Sequence, residues 1–470
     1  MNQELIRKID EAIAAIRPAL AKTTIDLVNI KSTQDKPLPG APFGAGPRAV
    51  LDHALKLGKE NGFVCTDHGV GVVSLAMRST QPDVGVWLHG DVVSEGEGWN
   101  FPPYDATEYQ GCIIGRGATD NKGQLAALFH LFCIFKELGV ELNYNPALYI
   151  GSNEETGMAD MIGLPDNDDA KGFLNVCTPP KLSLVPDGGF PVGYGGKGGM
   201  NITLKSKNPL HGWCIEGGLA AAPGRIEAIF NTAFSEELPK CTVTSGDKTI
   251  VTAETPPRHG SNPDPNGNMI TNLSAALLDT ALVPQEDRYV LEFFKTVSLD
   301  VDGTFLGIKT DSEYMKPLTV FTQRVEMNDG RATVSLNIRY PYGITFEEIV
   351  ERVSTVAENS GFTVLSTRRG VDPYLLDDKA PMVSLLCEAS NDVIGDNAKP
   401  FTIGGGTYAH RLPNAYVFGT NGNLPPSDFP SGRGGAHGVD EAVSLDRLQR
   451  AMRIYARALL MLNDVSFSLK

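Results

Sequence analysis

The stretch ALYIGSNEETGM, residues 147–158, joins an apolar run with the character of a buried strand to two adjacent acids, Glu154 and Glu155. Similar runs occur elsewhere in the N-terminal part, in GVVSLAM, DVGVWLHG and KLSLVPDGG, and a helical pattern, NKGQLAALFHLFCIFKELG, lies between two of the runs. Alternating strands and helices are typical of an α/β domain. Two adjacent acids can simply open a helix, where the helix dipole favours negative charge. The alternative is a site that uses two carboxylates for different tasks.

Length and composition limit the class of protein. A chain of 470 residues exceeds the size at which one core usually stops growing, so we expect two domains. The formal net charge of -15 and the sequence pI of about 5.1 argue against binding to nucleic acid or to an anionic membrane, because both need clustered Lys and Arg. A small-molecule or peptide partner is favoured.

The lack of a recognisable targeting pattern and the cysteine usage lead us to expect a cytoplasmic protein. The N-terminal segment MNQELIRKIDEAIAAIRPAL has apolar residues at helical spacing and lacks the continuous apolar core of a secretory signal. No later run approaches the length of a membrane span. The seven cysteines are odd in number and scattered, without a CxxC pair, as expected for reduced thiols.

The sequence pattern changes near residue 193 and changes back near residue 378. The intervening part contains alternating segments such as GMNITLKSK and RATVSLNIRYPYG, and we predict helices in PGRIEAIFNTAF and TFEEIVERVSTVAENSG. A helix, a Gly-rich turn, a strand AYVFGT and a closing helix follow. We therefore predict an α/β catalytic domain made of residues 1–193 and 378–470, interrupted by an α+β lid domain of residues 194–377.

Candidate site residues follow the apolar runs. His89, Glu154, Glu155 and Asp187 all come after predicted strands, and open α/β sheets form ligand sites at the carboxyl ends of their strands. Each residue alone has a plainer explanation: His89 could be a satisfied polar strand end, and Asp187 could belong to a Pro-Asp-Gly-Gly turn. One shared site explains all four positions together.

Two further aspartates extend this set. Asp91 follows His89 by two residues, so in an extended strand both share a face and the carboxylate could orient the imidazole. Asp120 precedes a long helical pattern, where it could act as an N-cap. However, Gly115 and Gly117 let the approaching backbone turn tightly and direct the Asp120 carboxylate inward.

Several carboxylates cannot all remain ionised in a dry cleft without a cation. A pair of bound divalent ions would supply the positive charge. The mixture of carboxylate and imidazole, without a thiolate motif nearby, favours zinc, manganese or cobalt over copper or an iron-sulfur cluster.

Five ordered motifs give the chain a family resemblance. HGDVV, GRGATDNKG, GSNEETG, PDGGFPVGYG and GGAHGVDEAV resemble, in order and spacing, the metal-ligand motifs of the M20 metallopeptidases. The resemblance covers essentially the whole chain and is closest to the monomeric dipeptidase subgroup that includes PepV. It implies a catalytic domain with a mixed, mostly parallel sheet flanked by helices, interrupted by a large lid.

The resemblance also implies a ligand set. Asp120 would bridge two metal ions, most simply zinc, with His89 and Asp187 completing one site and Glu155 and His437 the other. The family often has a second aspartate after the bridging one, where this chain has an asparagine that removes a charge beside the ions. The segment GGAHGVDEAV also differs from the corresponding segment of PepV, so the same substrate preference does not follow.

Further roles follow from the same resemblance. Glu154 would be the general base, with Asp91 orienting the histidine ligand, and His259 would stabilise the oxyanion. Arg339 would bind the substrate carboxylate, helped by the N–H groups of Gly405 and Gly406 if a helix starts there. Without the resemblance, a surface-loop histidine and a solvated strand-end arginine are the plainer interpretations.

The implied activity is hydrolysis of dipeptides with free amino and carboxyl ends by a cytoplasmic monomer. An N-acyl amino-acid deacylase would use the same metal centre, and it remains an alternative. A non-catalytic binding protein that retains the fold is a third possibility, but it would be expected to lack a ligand or the base.

Overall fold

The structure is a computed structural model. It describes residues 2–164, 170–218, 224–255, 263–420, 426, 428–430 and 432–465, and His259 lies outside these described residues. The chain divides into two units. The first consists of Met1–Gly195, Leu375–Phe401 and Thr407–Lys470, and the second of Gly196–Tyr374 and Thr402–Gly406.

The apolar runs of the N-terminal part form the central sheet of the first unit. Its middle strands pair in parallel and its outer pairs are antiparallel. In spatial order they are β1 (Val64–Asp67), β2 (Val72–Ala76), β6 (Pro146–Gly151), β3 (Val84–His89), β7 (Leu182–Val185), β19 (Ala415–Val417) and β8 (Gly193–Gly196). β2, β3, β6 and β7 are buried along their whole length, which explains their continuous apolar sequences.

Helices of the first unit cover this sheet. They are α1 (Gln3–Ala15), α2 (Arg17–Val28), α3 (Ala45–Glu60), α4 (Gly123–Glu137), α5 (Ala159–Ile162), α6 (Phe173–Val176), α10 (Pro381–Ile394) and α11 (Leu445–Met461). α4 is apolar on nearly every face because it is buried in the core shared with the sheet and α11. None of the helices in the described part of the chain has both the length and the apolar character that crossing a bilayer requires.

The chain also contains several short strands. β4 (Thr107–Tyr109), β5 (Cys112–Ile114) and β20 (Ala442–Ser444) form a separate three-stranded sheet. Ala442 and Val443, the last two residues of GGAHGVDEAV, pair with β5, and the closing helix α11 begins at Leu445. β17 (Tyr374–Leu375) and β18 (Phe401–Ile403) lie where the chain passes from one unit to the other. The predicted α/β class, with a mixed sheet flanked by helices, is confirmed.

The second unit is an antiparallel sheet with its own core. In spatial order the strands are β12 (Thr242–Ser245), β13 (Thr249–Thr255), β11 (Gly224–Phe230), β10 (Trp213–Gly218), β14 (Thr319–Asn328), β15 (Arg331–Tyr340), β9 (Gly198–Ser206) and β16 (Phe362–Val371). Its helices are α7 (Met269–Leu278), α8 (Arg288–Leu299) and α9 (Phe346–Asn359). Their apolar faces form a core with the strands.

One predicted helix in the second unit is wrong. The segment PGRIEAIFNTAF contains strand β11, which pairs with β10 on one side and β13 on the other. Ile226, Ala228 and Phe230 are buried, and the residues between them are more exposed, so the burial period is two. The sequence carries good helix formers, but pairing on both sides determines the structure here.

The parallel register brings the strand ends together. His89, the last residue of β3, pairs in register with Gly151, the last residue of β6, and β7 ends two residues before Asp187. Gly151 has no space for a side chain, because a Cβ atom there would overlap the hydroxyl of Tyr408 and lie 2.5 Å from Oδ2 of Asp160. Residues 152–158, which follow Gly151 and contain Glu154 and Glu155, form the glutamate turn. The start of this turn is therefore tightly packed.

We predict that Gly151→Ala lowers the free energy of unfolding by about 1–3 kcal/mol, because the added methyl group forces two buried side chains apart. Gly246→Ala is the matched control, since a Cβ atom there meets no atom within 4 Å. The control should leave the stability unchanged or slightly higher. Urea denaturation of both variants is the measurement, and equal stabilities would contradict the packing described for Gly151.

Candidate functional site

The carboxylate of Asp120 lies between two histidines. Its Oδ1 is 2.9 Å from Nε2 of His89, and its Oδ2 is 3.1 Å from Nε2 of His437. Asp120 belongs to the turn Ala118–Lys122 that precedes α4, where its φ of -133° and ψ of 89° are not helical. Lys122, rather than Asp120, occupies the N-cap position of α4. The side chain therefore points to the histidines instead of capping the helix.

Two groups of three potential ligands share this aspartate. The first group is His89, Asp120 and Asp187, and the second is Asp120, Glu155 and His437. Within each group the ligand atoms lie within 4.8 Å of one another. In the second group, Nε2 of His437 is 3.0 Å from Oε1 of Glu155. All five residues belong to the first unit.

The turn that bears the two glutamates starts where β6 ends. A buried carboxylate, that of Asp160, accepts hydrogen bonds from the N–H groups of Ser152 at 2.8 Å and Asn153 at 3.1 Å. The Tyr408 hydroxyl donates to the same oxygen at 2.5 Å. Burial and the charge of Asp91 raise the pKa of Asp160 to about 7. This carboxylate fixes the first half of the turn.

Asp91 fixes the second half of the turn. Its Oδ1 accepts the N–H of Glu154 and its Oδ2 accepts the N–H of Glu155, both at 3.1 Å. Nδ1 of His89 lies 3.0 Å from the backbone oxygen of Asp91 and 3.6 Å from its Oδ1. One aspartate thus holds both glutamates by the backbone and contacts the imidazole of a neighbouring strand end.

Glu154 differs from Glu155 in its surroundings. It is 8% exposed, it belongs to neither group of potential ligands, and its Oε1 has no hydrogen-bond partner among the described residues. Burial, together with the charges of Asp187 and Glu155, raises the pKa of Glu154 well above its usual value. A buried carboxyl group of this kind is a candidate for taking up and releasing a proton during a reaction.

The ionisable groups around it perturb one another. Burial and the charge of Asp120 raise the pKa of Asp187 to about 7, and burial also raises the pKa of Glu155. Burial opposes the charged form of both histidines, yet hydrogen bonds and charges from the carboxylates raise the pKa of His89 and of His437. Such a concentration of acids requires positive charge to be fully ionised.

The donor set fits divalent cations. Carboxylate oxygens and imidazole nitrogens are the ligands of zinc, manganese and cobalt sites, and the two groups contain no thiolate. The unpartnered Oε1 of Glu154 beside them is a further sign that a group which the described residues do not supply belongs here.

The residue after Asp120 connects the turn that precedes α4 to the segment that follows β7. Asn121 is fully buried, and its Nδ2 donates to the backbone oxygen of Pro186 at 2.9 Å, directly before Asp187. An amide can donate this hydrogen bond, whereas an ionised aspartate cannot.

The residues predicted to bind the substrate carboxylate belong to the second unit. Arg339 lies on β15 opposite Gly199, and its Nε donates to Oδ1 of Asn337 at 3.0 Å. Nδ2 of Asn337 donates in turn to Oδ1 of Asn201 at 2.9 Å. A Cβ atom at position 199 would lie 2.6 Å from Nη1 of Arg339, so the glycine leaves room for the guanidinium group.

The Gly-rich turn with Gly405 and Gly406 also belongs to the second unit. A side chain at Gly405 would meet no atom within 4 Å. The helix that follows is a 3-10 helix of three residues, Tyr408–His410, capped by the side chain of Thr407. The role predicted for these two glycines stays a prediction.

Sequence reasoning missed four buried residues that hold the backbone of the site. Arg116 and Glu441 stand inside quoted motifs, and the available signal was Arg116 between two glycines and Glu441 before the apolar pair Ala442 and Val443. Asp160 and Tyr408 are far apart in sequence, and only the fold brings their side chains together.

Comparison with known proteins gives a consistent picture. The sequence pattern of "Peptidase family M20/M25/M40" matches residues 86–461. "Putative dipeptidase YtjP" of Bacillus subtilis (strain 168) is 27% identical, over 97% of this chain and 98% of its own length. "Putative dipeptidase" of Staphylococcus epidermidis (strain ATCC 12228 / FDA PCI 1200) is 26% identical, over 92% and 94%.

Solved structures share the fold. Human carnosine dipeptidase 1 superposes with a TM-score of 0.62 at 16% identity, covering 98% of this chain and 99% of its own. The di-peptidase Dug1p of Saccharomyces cerevisiae gives a TM-score of 0.60 at 14% identity, with coverages of 98% and 99%. At these identities the similarity concerns the fold.

We predict that Asp91→Asn loosens the glutamate turn, because an amide cannot accept both N–H groups with its two terminal atoms. Losing one charge-assisted hydrogen bond should speed amide exchange of Glu154 or Glu155 by about tenfold or more. Hydrogen exchange with mass spectrometry of the peptide around residues 152–158 measures this. Asp105→Asn, at an exposed position of the same unit, is the control. Unchanged exchange in Asp91→Asn would contradict the anchoring role.

Proposed function

The chain belongs to peptidase family M20/M25/M40 and is therefore a hydrolase, and we propose that it is a metallo-dipeptidase acting on dipeptides with free amino and carboxyl ends. The main support is the position of Asp120, whose two carboxylate oxygens face two different histidines. The relatives that match over nearly their full lengths are named as dipeptidases, which supports the same substrate class.

We propose that two divalent ions bind here. His89, Asp120 and Asp187 would hold one, and Asp120, Glu155 and His437 the other. Zinc is the first candidate, with manganese and cobalt as alternatives, because this donor set tolerates all three. When bound, the ions would supply Lewis acidity toward water and toward the scissile carbonyl group.

Glu154 is the proposed general base. Its buried carboxyl group, raised pKa and unpartnered Oε1 suit a group that receives the proton of the attacking water. As oxygen adds to the carbonyl carbon, the proton moves to Glu154. Glu154 then gives it to the amide nitrogen while the C–N bond breaks, which releases two amino acids. Asp91 assists by holding the backbone of Glu154, so that the carboxyl group keeps its direction.

Residues of the second unit are the proposed partners of the substrate's carboxyl end. Arg339 is the proposed partner of the substrate carboxylate, since a guanidinium group presents a planar fork to it. Asn337 accepts the hydrogen bond of the Arg339 Nε and so limits the rotation of the fork. Gly405 and Gly406 would add backbone N–H groups, and His259 would stabilise the oxyanion.

We further propose that the enzyme is a cytoplasmic monomer. The seven cysteines are odd in number and scattered, without a CxxC pair, as expected in a reducing compartment. The large second unit, Gly196–Tyr374, supports the monomer, because the resembling dipeptidases use an enlarged lid in place of a second subunit.

We predict that Glu154→Gln lowers kcat by about 10²- to 10⁴-fold, because the proton carrier is removed. The variant should still bind two metal ions per chain, since Glu154 is not among the ligands. Glu155→Gln is the adjacent control and should lose metal instead. Metal analysis and steady-state kinetics distinguish the two, and loss of metal from Glu154→Gln alone would mean that the roles of the glutamates are exchanged.

We predict that Asn337→Ala raises KM for dipeptides by about tenfold with little change in kcat, since the orientation of Arg339 affects binding more than chemistry. Ser335→Ala is the matched control, because Ser335 lies two residues earlier on β15 and forms a hydrogen bond with Thr203 instead.

Dipeptides should be hydrolysed faster than N-acetyl amino acids. The reverse preference would favour the deacylase.

A further inference from the structure

We propose that Arg116 and Glu441 are positioning residues that set the affinity of the site formed by Asp120, Glu155 and His437 more strongly than that of the other site. The inference rests on the metal ligands proposed above, and it assigns a function to a buried ion pair that lies outside both groups of ligands.

Glu441 holds the turn that presents Asp120. Its side chain is fully buried, and its Oε1 accepts the N–H groups of Thr119 and Asp120, both at 2.9 Å. Its Oε2 accepts the N–H of Gly117 at 3.0 Å and Nη1 of Arg116 at 2.6 Å. Four donors on one carboxylate fix the backbone of the shared ligand by charge-assisted hydrogen bonds.

Arg116 reaches the second ligand of the same site. Its side chain is 1% exposed and lies over the ring of Trp99, 5.1 Å from the centroid. Nη2 donates to the backbone oxygen of His437 at 3.3 Å and to that of Glu95 at 3.2 Å. One guanidinium group therefore joins Glu441, which holds Asp120, to the backbone of His437.

His437 depends on this support more than the other ligands do. Its side chain is 38% exposed, whereas that of His89 is 1% exposed. Its φ of 62° places it in a turn, rather than at the end of a buried strand. The residues that follow it anchor the turn, because Oδ1 of Asp440 accepts the N–H groups of Asn100 at 2.7 Å and Phe101 at 3.1 Å.

The asymmetry between the two sites follows from these contacts. Two of the three ligands of one site, Asp120 and His437, are held by the Arg116–Glu441 pair. In the other site only Asp120 is held by it, because His89 ends β3 and Asp187 follows β7. Ligand sites lose affinity when their supporting residues let the geometry relax by about half an ångström.

The test is Mn²⁺ binding to metal-depleted protein, measured by equilibrium dialysis and electron paramagnetic resonance. The variants are Arg116→Lys, which keeps the charge but lacks the fork, and Glu441→Gln. Arg116→Lys should bind one ion with nearly unchanged affinity and the second about 10- to 100-fold more weakly. Glu441→Gln should weaken both ions, and the second one more, because it loosens the shared Asp120 as well as the contact to Arg116. Arg457→Lys is the matched control, since Arg457 forms a two-point ion pair with Asp10 elsewhere in the first unit.

A double-mutant cycle identifies the weakened site. Adding Arg116→Lys to His437→Ala should cause little further loss, because His437→Ala already removes the ligand that Arg116 supports. Adding Arg116→Lys to Asp187→Ala should weaken the remaining ion strongly. Thermal unfolding of every variant checks the fold, and Arg116→Lys alone suffices if Glu441→Gln does not fold.

The outcomes separate this inference from the proposed function. Two ions bound with unchanged affinities in folded Arg116→Lys, or equal weakening of both sites, would overturn the positioning role while leaving the enzyme assignment intact. Fewer than two ions in the wild-type protein would overturn the proposed dinuclear centre and this inference with it.

Discussion

The concentration of carboxylates around the ends of β3, β6 and β7 is the constraint on which the site depends. Asp120, Glu154, Glu155 and Asp187 lie together with little access to water, and the pKa of three of them is raised. Mutual repulsion would drive such groups apart if their backbones were free. The fold prevents this by holding every turn that bears them, and the remaining negative charge makes the cluster a strong receptor for cations.

The supporting residues are themselves acids, and this choice has a physical reason. The turns expose backbone N–H groups that no strand or helix satisfies, and the two oxygens of a carboxyl group accept two or more of them. Asp91, Asp160 and Glu441 each do so. An amide could accept fewer, and a neutral hydroxyl would hold them less strongly. The cost is additional negative charge near the ligands, which Arg116 offsets beside Glu441.

How far the sequence predicts this molecule depends on whether an interaction is local. Strands such as β3 and β6 were predictable because burial on both faces leaves a continuous apolar run. Strand β11 was not predictable, because the alternating burial of Ile226, Ala228 and Phe230 can be recognised only when the neighbouring strands are known. The candidate ligands stand in short motifs. The contact between Arg116 and Glu441 joins positions 325 residues apart, so no local pattern contains it.

The two adjacent glutamates show why the turn matters. On a strand, neighbouring side chains point to opposite faces, so Glu154 and Glu155 could not both face one pocket. The strand ends at Gly151, and both glutamates lie in the turn beyond it. The two oxygens of one Asp91 carboxylate take their N–H groups, which fixes the two residues side by side. Glu155 can then meet His437 while Glu154, with an unpartnered oxygen, remains available for a proton. Their different surroundings thus arise from one aspartate and one strand end, rather than from any difference between the two side chains.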